Sequence, residues 1–255
     1  MSLDVHVVPC LQDNFAYLLR CLRTGRVAVV DPSEAAPVLE ALKARGWSLD
    51  AILNTHHHWD HTGGNLELLD AYPGIPVYGH ASDRGRIEGQ TVFLEDGDSV
   101  ELGECRARIY HIPGHTTGAV AYHFPEGVFT GDTLFAVGCG RLFEGTPEMM
   151  DHSLNDVLAA LPGETPVYFG HEYTRQNIRF ALTVEPSNEA LRARADEVEA
   201  CLAEGKHTTP TTIELERRTN PFLRCDQADI RARFNGAGGS RVEIFARLRE
   251  AKDNF

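Results

Sequence analysis

Ala51-Ile52-Leu53 leads through Asn54 into Thr55-His56-His57-His58-Trp59-Asp60-His61. Four histidines and an aspartate within six residues constrain this chain more than any other feature in it. A short apolar run that ends in such a cluster reads as a buried strand feeding a loop, and a rigid sheet is what positions a loop for chemistry. His56 and His58 stand two apart, so on an extended stretch they project to the same side. Asp60 and His61 are adjacent and diverge, which lets them serve a different ion. Imidazole suits zinc, iron and manganese, and a carboxylate can bridge two cations.

The same pattern recurs downstream. Cys105 to Ile112 alternates like a strand and ends at Pro113-Gly114-His115, Gly127 to Thr130 ends at Gly131-Asp132, and Val167 to Phe169 ends at Gly170-His171. With His56, His58, Asp60 and His61, the strand-end residues His115, Asp132 and His171 make five histidines and two aspartates. One ion does not use seven ligands; two ions sharing a carboxylate do. His57 is read as a neighbour of the ligands. His6, His80, His111, His123, His152 and His207 lack the strand-end glycine context and are set aside.

Around these loops the chain reads as short strands with few helices. Tyr17 to Arg20 and Val27 to Val30, joined through Thr24-Gly25, predict a hairpin. Val38, Leu39 and Leu42 predict a helix that stops at Gly46. Beyond about Glu172 the pattern changes to helical periods over Asn188 to Leu202, Ile213 to Glu216 and Val242 to Leu248, with no strand-and-glycine pattern left. A domain over residues 1–172 and a helical domain over 173–255 are therefore expected.

Net charge is −13, from 24 basic and 37 acidic residues. So acidic a chain is a poor nucleic-acid binder, and an anionic substrate would require locally gathered basic residues. No apolar run is long enough to span a membrane, and the start of the chain carries no basic region of a secretory signal. The six cysteines form no C-x-x-C pair and read as reduced, mostly buried and inert thiols of a cytoplasmic protein; Cys139, between two glycines, is set apart as partly accessible. A monomer without nucleic-acid or membrane partners is expected.

Thr55 to His61 resembles the metal motif of the metallo-β-lactamase superfamily. Pro113-Gly114-His115-Thr116, Gly131-Asp132-Thr133 and Gly170-His171-Glu172-Tyr173-Thr174 resemble its remaining motifs. Within that superfamily the chain looks like the hydroxyacylglutathione hydrolases (glyoxalase II), through Leu134-Phe135, Cys139-Gly140-Arg141, Thr219 to Arg224 and the tail Arg249, Lys252, Asp253 and Phe255. The resemblance implies an α/β chain, a four-layer αβ/βα sandwich with a helical C-terminal, glutathione-binding domain. It implies His56, His58 and His115 on one divalent ion, and Asp60, His61 and His171 on a second. Asp132 bridges them, and Asp60 and Asp132 carry catalytic roles. Zinc is the expected metal, with iron or manganese as alternatives. Asp31 resembles an aspartate that supports the histidine loop.

The activity implied is thioester hydrolysis of S-(2-hydroxyacyl)glutathione, S-D-lactoylglutathione above all, which is the second step of methylglyoxal detoxification. Arg141, Arg249 and Lys252 fall at family positions that bind the anionic glutathione portion, and Tyr173 at one beside the substrate. Where many members carry tyrosine, this chain has Phe143. The phenol hydrogen bond lost there is worth about 0.5–1.5 kcal/mol. Persulfide dioxygenases of the same superfamily use one iron and lack the long helical appendage. A protein holding metal only to maintain its fold would be expected to use closed, cysteine-rich sites.

Overall fold

The computed structural model describes residues 2–234 and 239–255; Met1 and residues 235–238, which fall within the two expected domains, lie outside the described residues. The chain divides into two compact units, Met1–His111 with Gly118–Gly131, and Ile112–Thr117 with Asp132–Phe255.

In the first unit, β1 (Leu3–Cys10), β2 (Asn14–Cys21) and β3 (Val27–Val30) form an antiparallel meander. The expected hairpin is there, with Arg20 opposite Val27. From β3 the sheet becomes parallel, because α1 (Ala35–Arg45) carries the chain back to β4 (Ala51–Leu53). The short α2 (Trp59–Thr62) and α3 (Asn65–Ala71) then lead to β5 (Val77–His80), and β6 (Val92–Leu94) completes the order β1 to β6. Helix α1 ends at Gly46, as its pattern predicts.

A second set of strands, β7 (Ser99–Leu102), β8 (Cys105–His111), β9 (Val120–Phe124) and β10 (Gly127–Gly131), pairs antiparallel in chain order. Tyr17 of β2 meets Phe129 of β10 edge-on at 5.4 Å between ring centroids, so the two sheets share one core. Val38 and Leu42 of α1 and Leu68 of α3 cover the other face of the first sheet, against Val27, Val29 and Ile52. Strand β3 is buried on both faces, which is why it reads as an unbroken apolar run rather than an alternation. Successive parallel strands deliver Asp31 after β3 and the histidine segment after β4 at the same edge of the sheet, where such sheets place their sites.

The second unit begins with the hairpin of β11 (Leu134–Phe135) and β12 (Gly138–Cys139), followed by α4 (Pro147–Asp151) and a π-helical turn over His152–Val157. Strand β13 (Pro166–Phe169) pairs with β14 (Thr211–Thr212), two β-branched residues inside the stretch expected to hold no strand. Around them lie α5 (Thr174–Val184), α6 (Glu189–Ala203), α7 (Ile213–Thr219), α8 (Ala228–Phe234) and α9 (Arg241–Asp253). Val137, Ile178, Ala181, Leu191 and Val198 form their apolar cluster. A buried ion pair, Arg194 Nη2 to Glu216 Oε1 at 2.6 Å, lies beside it, and Glu216 Oε2 accepts from Val137 N and Asn220 Nδ2. Composition changes near residue 172, whereas compactness groups residues 132–171 with the helices. The β11–β12 hairpin contacts α5, and α4 packs on α9.

Candidate metal centre

The histidine loop of the first unit is held by side chains. Asp31 is buried in a left-handed backbone conformation (φ 48°), which aspartate tolerates better than most residues. Its Oδ1 accepts from Thr55 N at 2.7 Å. Its Oδ2 accepts from Thr55 Oγ1 at 2.7 Å and faces His61 Nδ1 at 3.0 Å. Because Thr55 Oγ1 spends its proton on Asp31, it accepts from His56 Nδ1, 3.0 Å away. Asn54 Nδ2 holds the His61 carbonyl at 3.0 Å, and Asn65 and Tyr122 hold Asn54. Gly131 stands where a Cβ would meet Thr55 Oγ1 at 2.2 Å, so the loop closes only over glycine.

His56 and His58 lie on the same side, ring centroids 4.8 Å apart, as the extended spacing predicts. The chain then turns into α2, which carries Asp60 and brings the His61 ring back beside His56, centroids 4.2 Å apart. His57 faces elsewhere, toward Asp83 and Arg86, as a neighbour rather than a ligand. Donor atoms of Asp31, His56 and His61 all lie within 4.8 Å of one another. Within this group Asp31 is already bonded to the Nδ1 side of His61.

In the second unit the clearest support is that of His115, and much of it comes from the backbone. Arg141 O accepts from His115 Nδ1 at 2.8 Å, Phe143 N donates to His115 O at 3.2 Å, and Gly145 N donates to Gly114 O at 3.1 Å. Ser153 Oγ, from the π-helical turn, donates to Pro113 O at 2.7 Å, and Thr133 Oγ1 donates to Ile112 O at 3.2 Å. At Gly140 a Cβ would meet Asp132 O at 2.1 Å and His115 Nδ1 at 2.8 Å. His115 Nε2 and His171 Nε2 both face Asp132 Oδ2, at 3.5 and 3.2 Å. The ring of Tyr173 stacks on His171, centroids 4.7 Å apart.

These residues fit metal ions. His56, His61 and His115 each commit Nδ1 to the protein, which leaves Nε2 as the donor, the arrangement of ligating histidines. A tetrahedral ion with donors at about 2.0–2.2 Å separates neighbouring donors by roughly 3.3 Å. Nε2-to-carboxylate distances of 3.2 and 3.5 Å in one unit, and 3.8 Å from His61 Nε2 to Asp60 Oδ2 in the other, are of that size.

The expected substrate-binding residues all belong to the second unit. Arg141 is exposed, its Nε 3.7 Å from Asp253. Phe143 is exposed and edges onto His115 at 5.3 Å. Lys252 lies over the rings of Phe180 and Phe255, and burial, helped by the neighbouring Arg249 charge, pulls its amine down to about 8. Arg249 lies on α9. It is buried, with Nη1 on Cys139 O at 2.9 Å and Nη2 on Asp253 at 2.9 Å; its Nε has no hydrogen-bond partner. Burial pushes the Cys139 thiol up to about 11, against the pull of Arg249, so it stays protonated and inert. Asn14, Asn54, Thr133 and Ser153 were not legible as site residues. They contact loop backbone through single polar groups, and only Thr133 lies within a motif, where nothing in the spacing marks its role.

Comparison with known proteins agrees with this architecture. Residues 12–171 match the metallo-beta-lactamase superfamily, and residues 172–255 match the hydroxyacylglutathione hydrolase C-terminus. A solved structure of ETHE1 from Myxococcus xanthus superposes with a TM-score of 0.68 at 25% identity, covering 97% of this chain and 90% of that one. TTHA1623 in a di-iron-bound form gives a TM-score of 0.59 at 29% identity, covering 86% and 100%. The fold is thus the α/β metallo-β-lactamase fold with a helical C-terminal region. A hydroxyacylglutathione hydrolase of Rhodospirillum rubrum is 51% identical over 100% of this chain and 99% of its own length. The chain belongs to the hydroxyacylglutathione hydrolase family.

Proposed function

We propose that this chain hydrolyses S-(2-hydroxyacyl)glutathione thioesters, S-D-lactoylglutathione first among them, to glutathione and a 2-hydroxy acid. His56, His58 and His115 would hold one divalent ion, Asp60, His61 and His171 a second, and Asp132 would serve both. The observation that carries the reading is the commitment of Nδ1 on His56, His61 and His115, which reserves Nε2 for metal. The di-iron form of TTHA1623 supports two ions. Zinc is the metal proposed, on the richness of the donor set in imidazole.

When bound, such ions supply Lewis acidity, which polarises a carbonyl and brings the pKa of water from 15.7 to about 7. The residues of the chain orient and bind. Asp132 and Asp60 place carboxylate charge at the centre, and the supports of the histidine rings keep it from rearranging. The leaving group is a thiolate, whose conjugate acid has a pKa of about 8.5, so no side chain is needed to protonate it. That favours a thioester over an unactivated amide. Arg141, Arg249 and Lys252 attract the glutathione carboxylates to an otherwise acidic protein, while Tyr173 and Phe143 border the substrate. No helix among the described residues is long and apolar enough to cross a membrane, and the cysteines are free thiols. A cytoplasmic monomer acting on a small thioester is the assembly we propose.

The test is an assay of purified protein on S-D-lactoylglutathione, following the loss of thioester absorbance with and without chelator. Turnover that chelator abolishes and added zinc restores is the expected result. Absence of hydrolysis by fully metal-loaded protein removes the reading.

A further inference from the structure

Asn14 opens β2, directly after the turn from β1, and is buried. Its amide nitrogen donates to the Asp60 carbonyl at 2.9 Å and to Asp60 Oδ2 at 3.2 Å. Both protons of one NH2 group are therefore spent on a single residue. Helix α2 is only four residues long. In a longer helix the Asp60 carbonyl would accept from the amide of Gly64. Here Gly64 N donates to Pro32 O at 2.8 Å instead. Asn14 stands in for the missing turn, and with the same group it reaches the carboxylate.

That carboxylate is partly exposed, on a short helix, and without a tether it would exchange rotamers. Oδ2 faces His61 Nε2 at 3.8 Å while it accepts from Asn14. An oxygen with two lone pairs can give one to the amide and keep the other directed at the ion shared with His61. We infer that Asn14 is a positioning residue that fixes the Asp60 carboxylate and thereby sets the affinity of the metal position served by Asp60 and His61, leaving the position served by His56 and His58 unaffected. The inference rests on the two-ion reading above. Outer partners of ligands are worth roughly 10–100-fold in metal affinity, and that is the loss expected at one position.

The experiment is a zinc titration of chelator-stripped full-length protein, with bound metal counted by atomic emission. Wild type is compared with Asn14→Leu, which keeps the shape and removes both donors. The expected result is two tight ions in wild type, and in the variant one tight ion and one weakened 10–100-fold. The metal-free variant should melt somewhat lower, because the Asp60 carbonyl loses its donor, so the unequal loss at the two metal positions, and not the melting temperature, separates positioning from a general structural role. Equal affinity at both positions in variant and wild type overturns the inference and leaves the two-ion reading intact. Equal weakening of both ions overturns it as well, because a general structural role would act that way. Fewer than two ions in wild type overturns the two-ion reading, and this inference with it. Should Asn14→Leu fail to fold, Asn14→Ser, which leaves room for water, is read by the same criteria.

Discussion

The two units hold their metal-ligand candidates by different means. In the first, a contiguous histidine loop is tied down by side chains: Asp31, Thr55, Asn14 and Asn54. In the second, the candidates lie far apart in sequence, and the His115 loop is fixed chiefly by backbone carbonyls, amides and a close glycine contact, at Arg141, Phe143, Gly145 and Gly140. A side-chain clamp can be removed by a single substitution. A backbone clamp can only be displaced, by adding bulk where there is none. The largest effect is expected where His115 and His171 converge, at Asp132. Asp132→Ala should reduce thioester turnover by more than about 100–1000-fold, the scale of losing one electrostatic stabiliser. Bound metal should fall with it. Full activity with full metal content in that variant would end the two-ion proposal.

Next in size are the clamps themselves. Asp31→Ala leaves the buried Thr55 amide, Thr55 hydroxyl and His61 ring N–H without their acceptor, at about 1–3 kcal/mol for each group left unsatisfied. Metal affinity should drop roughly 10–100-fold. Gly140→Ala has no flexible neighbour to push, because its Cβ would meet the Asp132 carbonyl at 2.1 Å. Its cost should appear as lost stability, on the order of 1–3 kcal/mol for overpacking. Thermal melts of metal-free protein measure both. If Gly140→Ala is neutral and Asp31→Ala is not, only the side-chain clamp is real.

The same contrast explains what was legible in the sequence. The histidine loop announces itself because its ligands are adjacent and its strand is a plain apolar run. His115, Asp132 and His171 are visible only through a repeated context, a strand ending in glycine followed by a ligand. Asn14 and Ser153 carry no such context. One acts through the chain reversal before β2, the other through a π-helical turn, and neither has a pattern that periodicity detects. Strand β14 escaped for a related reason, since two threonines pair with β13 without any hydrophobic alternation. Arg249 is marked in the sequence only by its family position, since spacing does not reveal that Cys139 O and Asp253 enclose it.

Arg249 and Lys252 extend the contrast to the substrate side. Arg249→Ala removes the donor to Cys139 O, one residue before Gly140 and two before the carbonyl that holds His115. It should lower both melting temperature and kcat/KM. Lys252→Ala should leave stability and kcat nearly unchanged and raise KM about 10-fold, the equivalent of roughly 1.5 kcal/mol for a charged hydrogen bond. The pH dependence follows from the same group. Below about 8 the Lys252 amine is charged and attracts a carboxylate; above it the charge is lost, so KM should rise with pH in wild type. A wild-type KM that stays flat through that range, or an equal effect of the two substitutions on melting temperature, would remove the distinction.

The smallest effect belongs to Phe143. Its ring is exposed and already edges onto His115, so the apolar contact is present without a hydroxyl. Phe143→Tyr adds a donor at the ring tip and touches neither the backbone clamp of His115 nor any ligand. A hydrogen bond gained at an exposed site contributes about 0.5–1.5 kcal/mol, which corresponds to a KM lower by roughly 2–13-fold with kcat unchanged. Because Phe143 N, and not its side chain, donates to His115 O, the substitution leaves that support in place. A change in kcat or in bound metal would mean that the ring itself, and not only the backbone at 143, supports the histidine.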